Sequence, residues 1–300
     1  MEELLKSIRD WIEGFDRDFE SLKIKLEKDL RKVEASVLRR IIADILPLLK
    51  VEEGVIKNTV SNMAKANVID RVFLEIQTDE LKPIIQAFSE ALLSISGRNA
   101  EYYLMTGFDT AKVNAIAKDT ALLRSVVGLD EKGELIKGGY LDSLFKSEAA
   151  KQEVKQYLLT GIATKQGVNQ FQRGLKNLIE GTKEVEGAMV GYWRRYAFDQ
   201  YAQVREVNNL HFAQELNLKY FVYQGGIIPT SRDFCKKKNG RVFSDQEALK
   251  DWPKDPDLID KKTAASYRPL LERGRYNCRH FLMWISEDRA MELKQRNNGE

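Results

Sequence analysis

Apolar residues near the start of the chain recur in alternating steps of three and four positions. They run from Ile8 to Val37, and positions between them, such as Asp16, Lys23 and Glu27, are charged. This spacing places one apolar stripe on one face of a helix and a solvated face opposite it. The pattern therefore predicts a long amphipathic helix, whose stripe either packs onto other helices of the chain or associates with another protein.

Helical periodicity returns after Pro47 and again between Leu81 and Leu93, but it is interrupted between Gly128 and Tyr140. This interruption holds several glycines among charged residues, a composition that favours loops over helices. We therefore expect a helical region over residues 1–145 and a second domain over 146–300.

Within the second domain, residues 149–159 read as a helix that Gly161 is placed to end, and Thr164 is placed to cap the next helix, over 165–178. A longer helix with an aromatic-rich side follows from residue 192 to about 217. Helices are thus expected over 150–217, and a small sheet with loops over 218–290.

The hydrophobic period changes near residue 220, where β-branched and aromatic residues become frequent. Strand candidates are Tyr220–Tyr223, Arg241–Phe243 and Arg279–Ile285. Ser244 and Glu247 have the spacing of a capping box, which predicts a helix over 245–251. The fold class expected is α+β, with a mainly α-helical N-terminal region followed by a small C-terminal α+β domain.

Composition narrows the class of protein without deciding its function. The chain has 300 residues, 43% apolar and 31% charged, with a formal charge of +3, as expected of a folded protein. The longest apolar tract, from Val37 to Leu49, contains Arg39, Arg40 and Asp44, so no membrane segment is expected. The first twenty residues lack the features of a signal peptide, so we expect assembly in a cytoplasm.

The last third of the chain contains short motifs in a distinctive order. They are Tyr220-Phe221-Val222-Tyr223, Ser231-Arg232-Asp233-Phe234-Cys235, Gly240-Arg241-Val242-Phe243 and Asn277-Cys278-Arg279-His280. This order, after an aromatic-rich helix, resembles the C-terminal domain of Mu F-like phage minor head proteins, also named phage head-morphogenesis proteins. The resemblance covers roughly residues 150–290. Its motif residues here are Arg232, Asp233, Gly240, Asn277 and Arg279.

The resemblance implies a structural protein of the virion rather than an enzyme. It implies few copies inside the capsid at the portal vertex, after assembly in the host cytoplasm, with roles in head morphogenesis and in DNA packaging and delivery. Its partners would be the portal protein, other head proteins and packaged double-stranded DNA, and no cofactor is expected. The alternatives are an effector- or toxin-associated protein that carries a Mu F-like domain, and a cysteine-dependent enzyme.

The chain departs from the family pattern at its cysteines. Many members have a Cys-x-x-Cys pair at the first turn and end in Cys-Arg-Cys, whereas this chain has only Cys235 there and ends Cys278-Arg279-His280. The family's two cysteine-bearing elements bracket one small sheet, so we expect Cys235 and Cys278 to be neighbours. A cytoplasmic origin favours free thiols, followed by a disulfide between them.

Zinc at Cys235, Cys278 and His280 ranks third, because a closed structural site takes four ligands; His211 is a further candidate. In the enzyme interpretation one cysteine would be activated by His211 or His280. No nucleophile signature surrounds either cysteine, and no phosphate-binding loop or metalloprotease motif occurs in the sequence. No catalytic residue is therefore assigned.

Two sets of residues are candidates for contacts with partners. Residues that would form a phosphate-binding face, if they converge rather than being simply solvated, are Lys236, Lys237, Lys238, Arg241, Arg273 and Arg275. Residues of the first helix that would dock onto the portal are Ile8, Ile12, Phe15, Phe19, Leu22 and Leu26. Asp233 is expected to cap a turn, and Arg232 or Arg279 to pair with a buried carboxylate.

Overall fold

The computed structural model describes residues 2–145, 148–258, 266–275 and 278–297, without the side chains of residues 2–7, 9, 143–145, 192, 194–200, 296 and 297. The helices are α1 (Glu2–Arg40), α2 (Val60–Lys65), α3 (Val68–Ile76), α4 (Lys82–Met105), α5 (Thr110–Lys118), α6 (Ala121–Val127), α7 (Tyr140–Phe145), α8 (Glu148–Ala163), α9 (Val168–Glu180), α10 (Ala188–Glu215), α11 (Asp233–Lys238), α12 (Asp245–Asp251), α13 (Pro269–Glu272) and α14 (Glu287–Asn297). The strands are β1 (Val51–Glu52), β2 (Val55–Ile56), β3 (Tyr220–Gly225), β4 (Val242–Ser244) and β5 (His280–Ile285). Short π- and 3₁₀-helical turns occupy Ile41–Ile45, Leu46–Leu48, Gln77–Leu81 and Trp252–Lys254.

Helices account for 69% of the chain, and the strands form only small antiparallel sheets. This confirms the expectation of a mainly helical α+β fold. The long first helix is present as α1, and the loop that follows α6 coincides with the glycine-containing interruption. The capping box is also present, because the Ser244 hydroxyl accepts from the Glu247 amide and the Glu247 carboxylate accepts from the Ser244 amide.

The chain divides into two compact units that are discontinuous in sequence. The sheet unit comprises Met1–Asp18, Leu92–Val126 and Phe198–Glu300, and the helix unit comprises Phe19–Ala91 and Val127–Ala197. These units differ from a linear division at residue 145. Sequence periodicity marks where a helix is interrupted, but α1, α4 and α10 each contribute residues to both units, and no interruption marks those positions.

In the sheet unit, three antiparallel strands lie in the order β4-β3-β5. Phe221 of β3 pairs with Phe243 of β4 and with Trp284 of β5. All six residues of β5 are buried, whereas in β3 only Phe221 and Tyr223 are. The central strand thus has one face in the core, and β5 is enclosed on both faces.

Polar side chains of α10 hold this sheet through specific hydrogen bonds. Asn209 donates from Nδ2 to the Leu282 carbonyl at 2.6 Å, which joins α10 to β5. Asn208, the polar residue on an otherwise apolar face, accepts from Asn99 Nδ2 at 2.7 Å. Tyr102 of α4 donates to the Trp284 carbonyl at 2.9 Å. Buried polar groups are tolerated here because they have partners.

In the helix unit, the later turns of α1 and the helices α3, α8 and α9 all contribute buried apolar side chains. These include Leu30, Val33, Val72, Val154, Leu158, Phe171 and Leu175. The spacing of such residues along each helix produces the single apolar face that the sequence predicted for amphipathic helices.

The expected end of α8 at Gly161 is wrong. The helix continues to Ala163, and a Cβ at Gly161 would lie 2.4 Å from ring carbons of Phe171. Thr164 caps nothing at the start of α9; its hydroxyl donates back to the Thr160 carbonyl at 2.9 Å. The glycine is therefore used for close packing, and the chain leaves the helix at Lys165, which has a positive φ of 55°.

Candidate functional site

Cys235 and Cys278 lie side by side in the interior of the sheet unit. Their Sγ atoms are 3.9 Å apart, and both side chains are buried. A disulfide requires a sulfur–sulfur distance of about 2.05 Å, so both residues are thiols in this structure. Cys235 is on the buried side of α11, and Cys278 lies two residues before β5. The expectation that the two cysteines are neighbours is confirmed.

Two aromatic side chains complete this group of residues. Nδ1 of His280 is 3.9 Å from the Cys278 sulfur, and the Tyr223 hydroxyl is 3.3 Å and 3.4 Å from the sulfurs of Cys235 and Cys278. The Tyr223 and His280 rings stack with centroids 4.7 Å apart. We name these four residues the Cys/His cluster; each of them is buried.

Gly274 provides the space that the sulfur atoms occupy. A Cβ at this position would lie 2.5 Å from Cys235 Sγ and 3.2 Å from Cys278 Sγ. Arg273 and Arg275 on either side have positive φ values of 53° and 70°, which is unfavourable for residues with a Cβ. Arg232 holds the turn by donating from Nη1 to the Gly274 carbonyl at 2.9 Å.

The two thiols are electrostatically unequal. The hydrogen bond between the sulfurs lowers the pKa of Cys278 well below its usual value, and nearby His280 and Arg273 lower it further. The same hydrogen bond and burial raise the pKa of Cys235. Burial raises the pKa of Tyr223, so its phenol keeps its proton. Of the two thiols, Cys278 is therefore the one that ionises first.

A buried ion network lies in the same unit. The Glu206 carboxylate pairs with Arg273 at 2.8 Å and with Arg205 at 3.1 Å, and all three side chains are at most 6% exposed. Sequence analysis assigned a buried carboxylate to Arg232 or Arg279 instead. In this network the partners of the carboxylate are Arg205 and Arg273. Arg279 is exposed, so the assignment is wrong for Arg279.

The remaining motif residues have ordinary structural positions. Asp233 is exposed at the first position of α11 and lies 3.5 Å from Lys236, so it begins a helix rather than capping a turn. Gly240 has a φ of 78° before β4, a conformation that glycine adopts without strain. Asn277 lies outside the described residues.

The basic residues do not converge into one phosphate-binding face. Arg273 is 3% exposed and paired with Glu206. Arg275 is 13% exposed and lies 3.9 Å from Glu272. Lys237 and Lys238 pair with Asp257 and Asp255. Lys236 and Arg241 are exposed, but a DNA-binding face of all six residues is contradicted, because Arg273 and Arg275 are largely buried and aspartates already pair with Lys237 and Lys238.

The six residues expected to dock onto a partner are largely used within the chain. Phe15, Phe19 and Leu26 are at most 5% exposed, and Ile8, Ile12 and Leu22 are partly buried. Phe15 lies edge-on to Trp11 with ring centroids 5.0 Å apart. The docking assignment is therefore wrong for the three buried residues, and the stripe packs onto the chain's own helices.

Sequence reasoning missed Tyr223 and Gly274 as members of this site, and Arg205 and Glu206 as a buried ion pair. Tyr223 was identified only as part of a strand. Its alternation with Phe221 indicates burial, but no local pattern shows that its hydroxyl faces two cysteines. His211 was a further candidate ligand, but the described residues that converge as ligands are Cys235, Cys278 and His280.

No protein-family model, curated protein or solved structure matches the chain. The resemblance to Mu F-like proteins therefore rests on the order of motifs alone. Within the described ranges, no helix is both long enough and apolar enough to cross a bilayer.

Proposed function

We propose that this chain is a minor head protein of a double-stranded DNA phage, a structural protein of the Mu F-like type. The observation that carries the proposal is the arrangement of its last third: α10, β3, α11, β4 and β5 follow one another in the order of the resemblance. The two cysteine-bearing elements also lie against one small sheet, with their sulfurs 3.9 Å apart.

Burial of the cysteines favours this structural role over the alternative of a cysteine-dependent enzyme. A catalytic thiol must be reached by its substrate, and reactive cysteines are usually partly exposed. Cys278 and His280 are 3% and 2% exposed. The ionisable cysteine of the cluster is thus enclosed by protein.

In the proposed function the chain acts by binding other head proteins, and the apolar stripe of α1 takes no part in this binding. Contacts with portal and head proteins would use exposed apolar residues of the chain. Among those described, Ile24, Val60, Leu74 and Val185 are 62% or more exposed and belong to the helix unit. Direct contact with DNA has weaker support, because acidic partners offset the lysines of α11.

The experiment that tests this function is quantitative mass spectrometry of particles assembled from the genome that encodes the chain. We expect the chain in purified heads, in far fewer copies than the major capsid protein and in a fixed ratio to the portal. A replication protein from the same genome provides the control for carry-over. Absence of the chain from the particles, or a level no higher than this control, would contradict the proposal and favour the effector alternative.

A further inference from the structure

The Cys/His cluster brings together the side chains that zinc prefers as ligands. The ligand atoms of Cys235, Cys278 and His280 all lie within 4.8 Å of one another. We propose that these three residues bind a zinc ion and that the Tyr223 hydroxyl occupies the fourth corner of the site. This inference rests on the geometry of the sheet unit and does not depend on a role in phage heads.

The distances in the cluster are close to those of a tetrahedral zinc site. With bonds of about 2.3 Å to sulfur and about 2.0 Å to nitrogen, tetrahedral angles place two sulfurs about 3.8 Å apart and a sulfur and a nitrogen about 3.5 Å apart. The corresponding distances are 3.9 Å between the sulfurs and 3.9 Å between Cys278 and His280. The third edge, from Cys235 to His280, is at most 4.8 Å, so it needs to close by up to roughly 1.3 Å.

The position of Tyr223 fits the fourth corner. An oxygen ligand at about 2.1 Å from zinc would lie about 3.6 Å from each sulfur. The Tyr223 oxygen is 3.3 Å and 3.4 Å from them. The phenol would bind as a neutral donor, so it adds no charge to the interior.

Charge balance also favours a divalent cation here. Two thiolates neutralise Zn²⁺, so the occupied site carries no net charge, which limits the cost of burying it. Each thiol releases its proton to solvent when the metal binds, so affinity falls as the pH is lowered. The nearby Arg273 guanidinium pairs with Glu206 at 2.8 Å, and the same carboxylate pairs with Arg205 at 3.1 Å. This network therefore keeps one positive charge in excess, but an occupied zinc site without net charge is not repelled by it.

His280 has poor hydrogen-bonding partners without a metal. Its Nδ1 atom faces a sulfur at 3.9 Å, and its Nε2 atom is buried without a partner among the residues that the structure describes. A buried imidazole with neither nitrogen well bonded is destabilising. A metal bond would compensate one of the two nitrogens.

The test begins with the full chain, purified under reducing conditions and analysed for metal content. We expect about one zinc per chain, and a thiolate-to-metal charge-transfer band when Co²⁺ replaces it. The chain contains only 2 cysteines, so any such band must arise from this cluster. Wild-type protein therefore tests the site even if a substituted chain fails to fold.

Substitutions then identify each ligand. Cys235→Ser and His280→Gln should lose stoichiometric metal, whereas His211→Gln, which removes the chain's other histidine, should retain it. Tyr223→Phe should weaken Zn²⁺ binding about 10- to 100-fold, the range for groups that support a metal site. Gly274→Ala should also weaken it because its methyl group would enter the sulfur site. Gly226→Ala is the matched control, since no atom lies within 4 Å of its Cβ position.

Four results would overturn parts or all of this proposal. A folded, reduced chain without zinc and without the cobalt band rules out the site. A mass lower by two hydrogens in protein purified without reductant, with both thiols unreactive in denaturant until reduction, shows a disulfide instead. Metal retained fully in Cys235→Ser places the metal elsewhere. Unchanged affinity in Tyr223→Phe removes tyrosine from the fourth corner.

Discussion

The carboxylate of Glu34 accepts a hydrogen bond of 2.9 Å from the backbone amide of Val190, which lies 156 positions further along the chain. The same oxygen accepts from the Met189 amide at 3.0 Å. Both amides belong to the first turn of α10, where N–H groups have no partner within the helix. A buried side chain of α1 thus caps the start of another helix in the helix unit.

Replacing Glu34 tests this cap. Glu34→Ala leaves two buried amides without an acceptor, and we expect the free energy of unfolding to fall by about 1–3 kcal/mol. Glu34→Gln keeps an acceptor oxygen, so it should cost less. Urea denaturation measures both, and Glu20→Gln, at an exposed position of the same helix, should have no effect. Equal losses for Ala and Gln would contradict the role of the acceptor oxygen.

The ionisation of Glu34 predicts a pH dependence of stability. Burial raises the pKa of Glu34 above its usual value. A carboxyl whose pKa is raised in the folded state contributes most below its unfolded pKa, and that contribution is lost as the pH rises through the folded pKa. The free energy of unfolding of the wild type should therefore decline relative to that of Glu34→Gln as the pH rises from about 4.5. Urea denaturation of both proteins at each pH measures this difference. A growing advantage of the wild type over the same range would contradict this assignment.

The apolar stripe of α1 predicts loss of stability rather than loss of partner binding. Phe15 is 1% exposed, so Phe15→Ala should lower the free energy of unfolding by about 3–5 kcal/mol. Ile24 on the same helix is 66% exposed, and Ile24→Ala should change it by less than about 0.5 kcal/mol. Thermal unfolding compares the two. A stable Phe15→Ala protein that fails to bind a partner would restore the docking interpretation.

The lysines of α11 should differ in their effects because their surroundings differ. Lys238 is 12% exposed, pairs with Asp255 and lies over the Phe234 ring at 4.3 Å. Lys238→Glu places two carboxylates together and should cost about 2 kcal/mol or more. Lys236 is 44% exposed, and Lys236→Glu should change stability by less than about 1 kcal/mol.

Fluorescence anisotropy with duplex DNA at low salt separates this structural role from a DNA-binding role. If the lysines bound phosphate, Lys236→Glu and Lys238→Glu would both bind DNA more weakly and would be equally stable. We expect instead that the two variants differ strongly in stability and that Lys236→Glu binds DNA about as well as the wild type.

Local patterns predicted the elements, and the family resemblance predicted that Cys235 and Cys278 are neighbours, but neither predicted Tyr223 and Gly274 as parts of the site. Nearby residues determine the apolar period of α1, the capping box of α12 and the strand-forming segments of the sheet. The sequence was therefore sufficient to predict these elements. Gly161 was misassigned because a glycine that ends a helix and one that admits a neighbouring ring look the same in sequence. Tyr223, Gly274 and Cys235 meet only through contacts between distant segments, which no local pattern records.

Two glycines within helices provide a last test of this distinction. Gly161 of α8 and Gly97 of α4 both lack a positive φ, so alanine fits the backbone at either position. A methyl group at Gly161 would lie 2.4 Å from the Phe171 ring, and we expect Gly161→Ala to cost about 1–3 kcal/mol by overpacking. No atom of the residues that the structure describes lies within 4 Å of the Cβ position at Gly97, so Gly97→Ala should stabilise by up to about 1 kcal/mol through helix propensity. Phe171→Leu should partly restore the Gly161→Ala protein because it removes the ring that the methyl group would meet. If both alanine variants are instead stabilised to the same extent, Gly161 has no packing role, and its position near the end of α8 is the only reason for a glycine there.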